Sequence, residues 1–156
     1  MNKIDLKKLA RHEEDFALWS AEQAALIRAE KFDRVDLENV AEEIESLGRS
    51  EEHQIDSRME ILLRHLLKWH LQPSKRSRSW KASIVEQRIR IERIVKSSPS
   101  LRNYPATSLH GSFIIGRTDA MNETMLPEAA FPEDCPYTIE QVLDLKFFPG
   151  PAEADF

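Results

Sequence analysis

The sequence predicts an all-α fold: a single compact, bundle-like domain of about five or six helices with a Pro/aromatic-rich C-terminal arm. Three observations predict it. Apolar residues recur at helical period in several segments, capping residues stand where those segments begin, and Pro73 and Pro99 fall at their boundaries. At 156 residues the chain is long enough to fold on one core, burying roughly 70% of the surface its unfolded form exposes. Residues 1–145 are expected to form the domain and residues 146–156 a C-terminal tail, frayed from Gly150 onward.

A first helix is expected from Asp15 to Ile27, where Phe16, Trp19, Leu26 and Ile27 fall on one side with Gln23 between them. Asp36 is placed to cap a second helix reaching about Leu47. In it Leu37, Val40, Ala41, Ile44 and Leu47 make a stripe read as the core face, flanked about 100° around the cylinder by Glu38, Glu42, Glu45 and Arg49. Gly48 followed by Arg49 and Ser50 is expected to break the chain before a third helix. The apolar face of that helix, Ile55, Met59, Leu62, Leu63, Leu66 and Trp69, ends near Gln72 and Pro73. A basic loop follows, and Ser79 is expected to cap a fourth helix to about Lys96 that buries Trp80, Ile84, Ile91 and Val95, with Arg88 on the same side. Ser98 and Pro99 can start a fifth helix, but Pro105, Gly111 and Gly116 interrupt the run that follows. The arm interleaves Pro127, Pro132, Pro136 and Pro149 with Phe131, Tyr137, Phe147 and Phe148 around a short helix near Ile139 to Leu143.

Composition excludes several classes. With 41% apolar and 31% charged residues the chain is neither disordered nor membrane-spanning, and apolar runs such as Phe113-Ile114-Ile115 are far below the ~20 residues a bilayer requires. Met1 to Lys8 mix acid and base and lack the apolar core of a signal peptide. A single cysteine, Cys135, cannot form an internal disulfide and rules out a cysteine-based zinc cluster, which fits a reducing, cytoplasmic setting. Its acidic neighbours Asp134 and Glu133 should raise the thiol pKa, making it a poor nucleophile. The net charge of −5 is asymmetric: residues 1–63 carry −7, residues 64–102 carry +9 and residues 103–156 carry −7.

Three constellations could carry function. Glu38, Glu42 and Glu45, with His65 and His12 as distant partners of which His65 is the better placed, resemble in type the glutamate and histidine donors of di-metal helical bundles, although no Glu-x-x-His pair occurs. The bland reading of the same acids is ion pairing with a neighbouring helix. Arg88, facing a core, should meet a carboxylate, with Glu42 or Glu45 as the natural supplier; its functional version is an arginine lining a cleft that holds a phosphate or carboxylate. Arg76, Arg78 and Trp80, continued by Arg90 and Arg93 within the basic segment 75–96, could hold a phosphate backbone and an unstacked base. Charge compensation within the fold is the favoured explanation, and Trp80 in phase with Ile84 fits a core anchor better than an exposed stacking platform. No phosphate-binding loop, dinucleotide fingerprint or nucleophile elbow is present, so no catalytic, cofactor-binding or metal residue is assigned.

Taken together, Asp15-Phe16 with Trp19, the run DLENVAEEIESLGRSE from Asp36 to Glu51, HLLKW from His65 to Trp69, RSRSW from Arg76 to Trp80 and FPEDCPYT from Phe131 to Thr138 resemble bacterial proteins of the domain of unknown function 29 family. The resemblance spans about Asp15 to Leu145 and implies a compact, all-helical domain with no established activity. It also implies a plainly helical region between Tyr104 and Met121, where this sequence departs by carrying Gly111 and Gly116. The functional expectation is a small interaction module that binds a protein partner or itself. Nucleic-acid binding through residues 75–96 and a metal-dependent enzyme using Glu42, Glu45 and His65 are the alternatives.

Overall fold

The computed structural model describes residues 8–152, so the expectation for the extreme N-terminus and the frayed end beyond Ala152 lie outside the described residues. The chain folds into α-helices and short 3-10 turns, and no described residue is in a strand. Among the described residues there are five α-helices: α1 (Phe16–Arg28), α2 (Leu37–Leu71), α3 (Arg78–Ser97), α4 (Tyr104–Thr124) and α5 (Ile139–Leu143). They fall into two compact units, one ending at Arg49 and the other beginning at Ser50, with α2 contributing its first part to one and its remainder to the other.

In the first unit, Asp15 caps α1 by accepting the Leu18 N–H, and Trp19, Gln23 and Leu26 form the buried face. Two of these hold the start of α2. The Trp19 indole N–H donates to the Asp36 carboxylate at 3.2 Å, and the Gln23 side-chain carbonyl accepts the Asp36 N–H at 2.7 Å. Asp36 in turn accepts from the Asn39 backbone and side chain, as an N-cap does, and these bonds hold its carboxyl below the usual range.

The expected break at Gly48 is absent: α2 runs uninterrupted for 35 residues, so the second and third helices of the sequence reading are one. Its helix-forming neighbours, Glu42 to Leu47 and Ser50 onward, carry the single glycine at a cost of about 1 kcal/mol. The stripe read as core is also corrected. Leu37, Ile44 and Leu47 are 64%, 64% and 71% exposed, because the buried surface of α1 is spent on the start of α2 and covers none of them.

In the second unit the remainder of α2 is the central element, burying Ile55, Met59, Leu62, Leu63, Leu66, Leu67 and Trp69. Each such side chain contributes about 1.5–3 kcal/mol of transfer free energy. Helix α3, capped by Ser77 rather than Ser79, runs antiparallel to it, with Glu51 beside Ser98, Arg58 beside Gln87 and Lys68 beside Trp80. Ile84 and Ile91 are buried as the periodicity requires, whereas Trp80 and Val95 are only partly covered. Helix α4 runs parallel to α2: Asp56 accepts from Tyr104 and Ser108, and Arg64 pairs with Glu123.

The segment after Pro99 resolves into one 3-10 turn, Pro99–Leu101, and then α4, which passes through both Gly111 and Gly116. Gly116 is a close-approach site: a Cβ there would lie 2.8 Å from the Glu60 carbonyl oxygen and 3.0 Å from the Arg64 nitrogen. Only glycine lets α4 reach the α2 backbone there. The arm folds back onto the core through Phe131, Tyr137 and Val142, with α5 started by a Thr138–Gln141 capping box. Phe147 and Phe148 pack against the same core, and residues 150–152, expected to fray, are instead tied to Arg76.

Candidate functional site

The sequence singled out eight residues, and the structure does not bring them together. Glu38, Glu42 and Glu45 are exposed on the first part of α2. Glu45 pairs with Arg49 at 3.6 Å, one turn along the same helix, while Glu38 and Glu42 form no ion pair among the described residues. His12 approaches from before α1, placing its Nε2 2.7 Å from Glu43 and its ring edge-on to Trp19 at 4.6 Å. The acids therefore border the exposed apolar side of Leu37, Ile44 and Leu47, and Phe16, Leu18, Ile27 and Phe32 add further exposed apolar surface within the same unit.

His65 does not join the glutamates. It is buried in the second unit with Nδ1 2.8 Å from the Ile61 carbonyl, and no group of three or more His, Cys, Asp or Glu side chains among the described residues is placed to hold a metal ion. Burial pushes the imidazole pKa below 6.5, aided by the positive Arg64 and Lys68 and opposed by the Ile61 bond and by Glu123. The unfolded chain thus takes up the proton first as pH falls. Unfolding free energy should drop as pH is lowered through 6.5 and level off below the depressed folded value. Chemical unfolding of the wild type and of His65→Gln between about pH 7 and 5 checks this, the variant losing part of the slope. Equal slopes would contradict it.

The basic segment is divided. Arg76 is buried, not exposed: its Nε donates to the Trp69 carbonyl at 2.9 Å, Nη1 to Pro151 at 2.7 Å and Nη2 to Pro149 at 3.2 Å. Its guanidinium also lies 4.8 Å from the Trp69 ring centroid. Gly150, at φ +88°, turns the arm at this point. Arg78 is exposed at the start of α3, and Trp80 carries the Lys68 ammonium over its ring at 4.5 Å. Farther along, Arg90 pairs with Glu86 at 2.7 Å and Lys96 with Glu92 at 2.8 Å, both within α3. Of the four arginines that a phosphate backbone would need on one open face, Arg76 is a buried clamp, Arg90 is exposed but paired with Glu86, and Arg78 and Arg93 are exposed.

Arg88 is 2% exposed, as its phase on α3 requires, but its expected partner is wrong. Instead of Glu42 or Glu45 it meets backbone carbonyls of the arm: Nε donates to Val142 at 2.7 Å, and Nη2 to Phe147 at 2.8 Å and to Gln141 at 3.3 Å. Carbonyls left over at the end of α5 accept a guanidinium as readily as a carboxylate does, and no periodicity in α3 announces them. Burial lowers the Arg88 pKa to about 10, with Asp144 partly offsetting, so it stays cationic at neutral pH. Cys135 is also shifted, upward as expected, but by burial rather than by its acidic neighbours.

Sequence reasoning missed two polar clusters. Arg64 and Lys68 on α2 converge on Glu123 of α4, and Asp56 joins Tyr104, Ser108 and Ser112. Each needs the parallel register of α2 and α4, which no local pattern specifies. No helix among the described residues is long and apolar enough to cross a membrane.

The fold and these environments define an all-helical domain whose buried arginines fasten a C-terminal arm and whose first unit exposes apolar side chains on α1 and the first part of α2. The family model described as Domain of unknown function DUF29 matches residues 12–148, and the chain belongs to that family. No curated protein and no solved structure matches it.

Proposed function

We propose that this domain is a small interaction module that docks a protein partner on the exposed face of its first unit, the partner presenting a cationic amphipathic helix. The observation that carries the reading is the apolar stripe of α2: Leu37, Ile44 and Leu47 share one side of the helix and are all more than half exposed. Large apolar side chains that recur on one helical face, unlike scattered single ones, mark a surface that gains from being covered. Their spacing matches the anchors of helix-in-groove recognition. Charge sets the partner's character, since residues 36–45 contain five acids and no lysine or arginine. The module is read as an adaptor rather than an enzyme, in a bacterial cytoplasm, a setting that the lone Cys135 fits.

A helix-forming peptide with leucines at helical spacing and lysines on their flanks tests this, beside a twin in which glutamates replace the lysines. Anisotropy titration should show the lysine peptide binding at least about tenfold more tightly, with an affinity that falls as salt rises. The double variant Ile44→Glu/Leu47→Glu should abolish binding and leave the melting temperature unchanged, both residues being exposed. Equal binding of the two peptides, or no effect of the variant, would overturn the reading. Light scattering that shows a dimer converted to monomer by the same variant would replace the heterologous partner with a second copy of the chain.

A further inference from the structure

A cleft of about 530 Å³ opens in the second unit between α3, the start of α4 and the turn that follows α5. That size falls within the roughly 300–1,000 Å³ of small-molecule sites. Its apolar wall is made by Ile91 and Val95 of α3 with Leu143 at the end of α5. Three cations line it as well: Arg88, Arg102 and Lys146. We propose that this cleft binds a small amphipathic carboxylate, its aliphatic body against Ile91, Val95 and Leu143 and its charged head among Arg88, Arg102 and Lys146.

Arg88 is the strongest indication. It is 2% exposed, its bonds to protein all end on neutral carbonyls, and its Nη1 is fully covered without a hydrogen-bond acceptor. Most buried charges are paired, and a donor left without an acceptor costs about 1–3 kcal/mol. A cation in this state, set in the wall of an apolar cleft, holds a field that an anion in the cleft would answer. The acids at the same cleft answer it only in part, since Asp144 offsets some of the Arg88 charge without forming an ion pair with it. Glu92 is held by Lys96 at 2.8 Å, and Asp144 is exposed and accepts the Lys146 backbone N–H at 2.9 Å. Arg102 and the Lys146 side chain form no ion pair among the described residues.

The chemistry of the walls selects the ligand class. A dianionic phosphate would lose more hydration beside Ile91 and Val95 than the contacts return, whereas a monoanionic carboxylate on an aliphatic body matches both the guanidinium fork and the apolar surface. This site lies wholly in the second unit and is independent of the docking face proposed for the first.

Amide chemical shifts of the full chain, titrated with octanoate, with 1-octanol and with inorganic phosphate, test the proposal. Octanoate should shift amides of residues 88–102 and 143–146 saturably, and the neutral alcohol and the bare anion should each bind at least about tenfold more weakly. Arg102→Ala/Lys146→Ala, which changes side chains at exposed positions, should weaken octanoate by a similar factor while the rest of the spectrum overlays that of the wild type. Absence of a saturable shift, parity between octanoate and octanol, phosphate binding as tightly as octanoate, or an unaffected double variant would each overturn it.

Discussion

Arg88→Ala should destabilise the protein by about 3–5 kcal/mol, measured by urea unfolding of the variant beside the wild type. The argument rests on what the guanidinium leaves behind. Val142, Gln141 and Phe147 each present a carbonyl to it, and Val142 is itself fully buried. Alanine supplies no donor, so acceptors that cannot reach water keep their desolvation penalty, at about 1–3 kcal/mol each. Packing is lost too, since the guanidinium lies 5.5 Å from the Phe148 ring centroid. Arg88→Lys should recover only part of the loss, because an ammonium is a compact point charge and cannot reproduce the fork. Part of the cost of burying a cation is also removed by the alanine, which sets the estimate below a simple sum of lost bonds. A change under about 0.5 kcal/mol would mean that Arg88 does not fasten the arm.

The second large effect is expected at Gly116→Ala, with a loss of about 1–3 kcal/mol. A single methyl group is normally favourable inside a helix, by up to about 1 kcal/mol over glycine. Here it meets backbone on the facing helix, the Glu60 oxygen at 2.8 Å and the Arg64 nitrogen at 3.0 Å, and backbone within a helix cannot swing aside as a side chain can. Helices α2 and α4 must separate, loosening Phe113 and Ala120 between them and disturbing the Arg64 and Lys68 contacts to Glu123. Gly111→Ala is the internal control. Nothing lies within 4 Å of its added Cβ, so the same chemical change one turn and a half earlier on α4 should stabilise. Opposite signs for the two substitutions in thermal unfolding are the expected result, and like signs would refute the close approach.

These two residues also show what the sequence could and could not say. Periodicity on α3 placed Arg88 on the buried side correctly, because phase is a local property of one helix. Its partner was misassigned because the acceptors are backbone atoms of an arm more than fifty residues away, and carbonyls carry no residue-type signal. Gly116 read as an interruption for the same reason: from one helix alone, a glycine that permits contact looks like a glycine that breaks the chain. Gly48 was misread in the other direction, as a cap, although nothing lies within 4 Å of its Cβ position and α2 simply continues.

Composition and periodicity were sufficient for the all-helical class, the first helix to within a residue of its start, the Asp36 cap, the buried face from Ile55 to Trp69 and the short α5. The stripe from Leu37 to Leu47 had the pattern of a core face and does not lie in one. Pattern reports that a surface is amphipathic, while coverage depends on which neighbours exist to cover it. The residue types of the candidate cleft were partly legible, since Arg88, Ile91 and Val95 share one side of α3, but Leu143 and Lys146 join them only through the fold of the arm.

The account's central claim, that the apolar face of α2's first part is a docking surface, is tested most directly by site-specific photocrosslinking in native cells. A photoreactive residue at Ile44 is compared with one at Met125, which is more open to solvent, 85% against 64%, but lies in the second unit. The account predicts one dominant protein adduct at position 44, absent at 125, whose crosslinked segment is a helix with basic residues beside its apolar side. Adducts at 44 no more abundant or specific than those at 125 would contradict it.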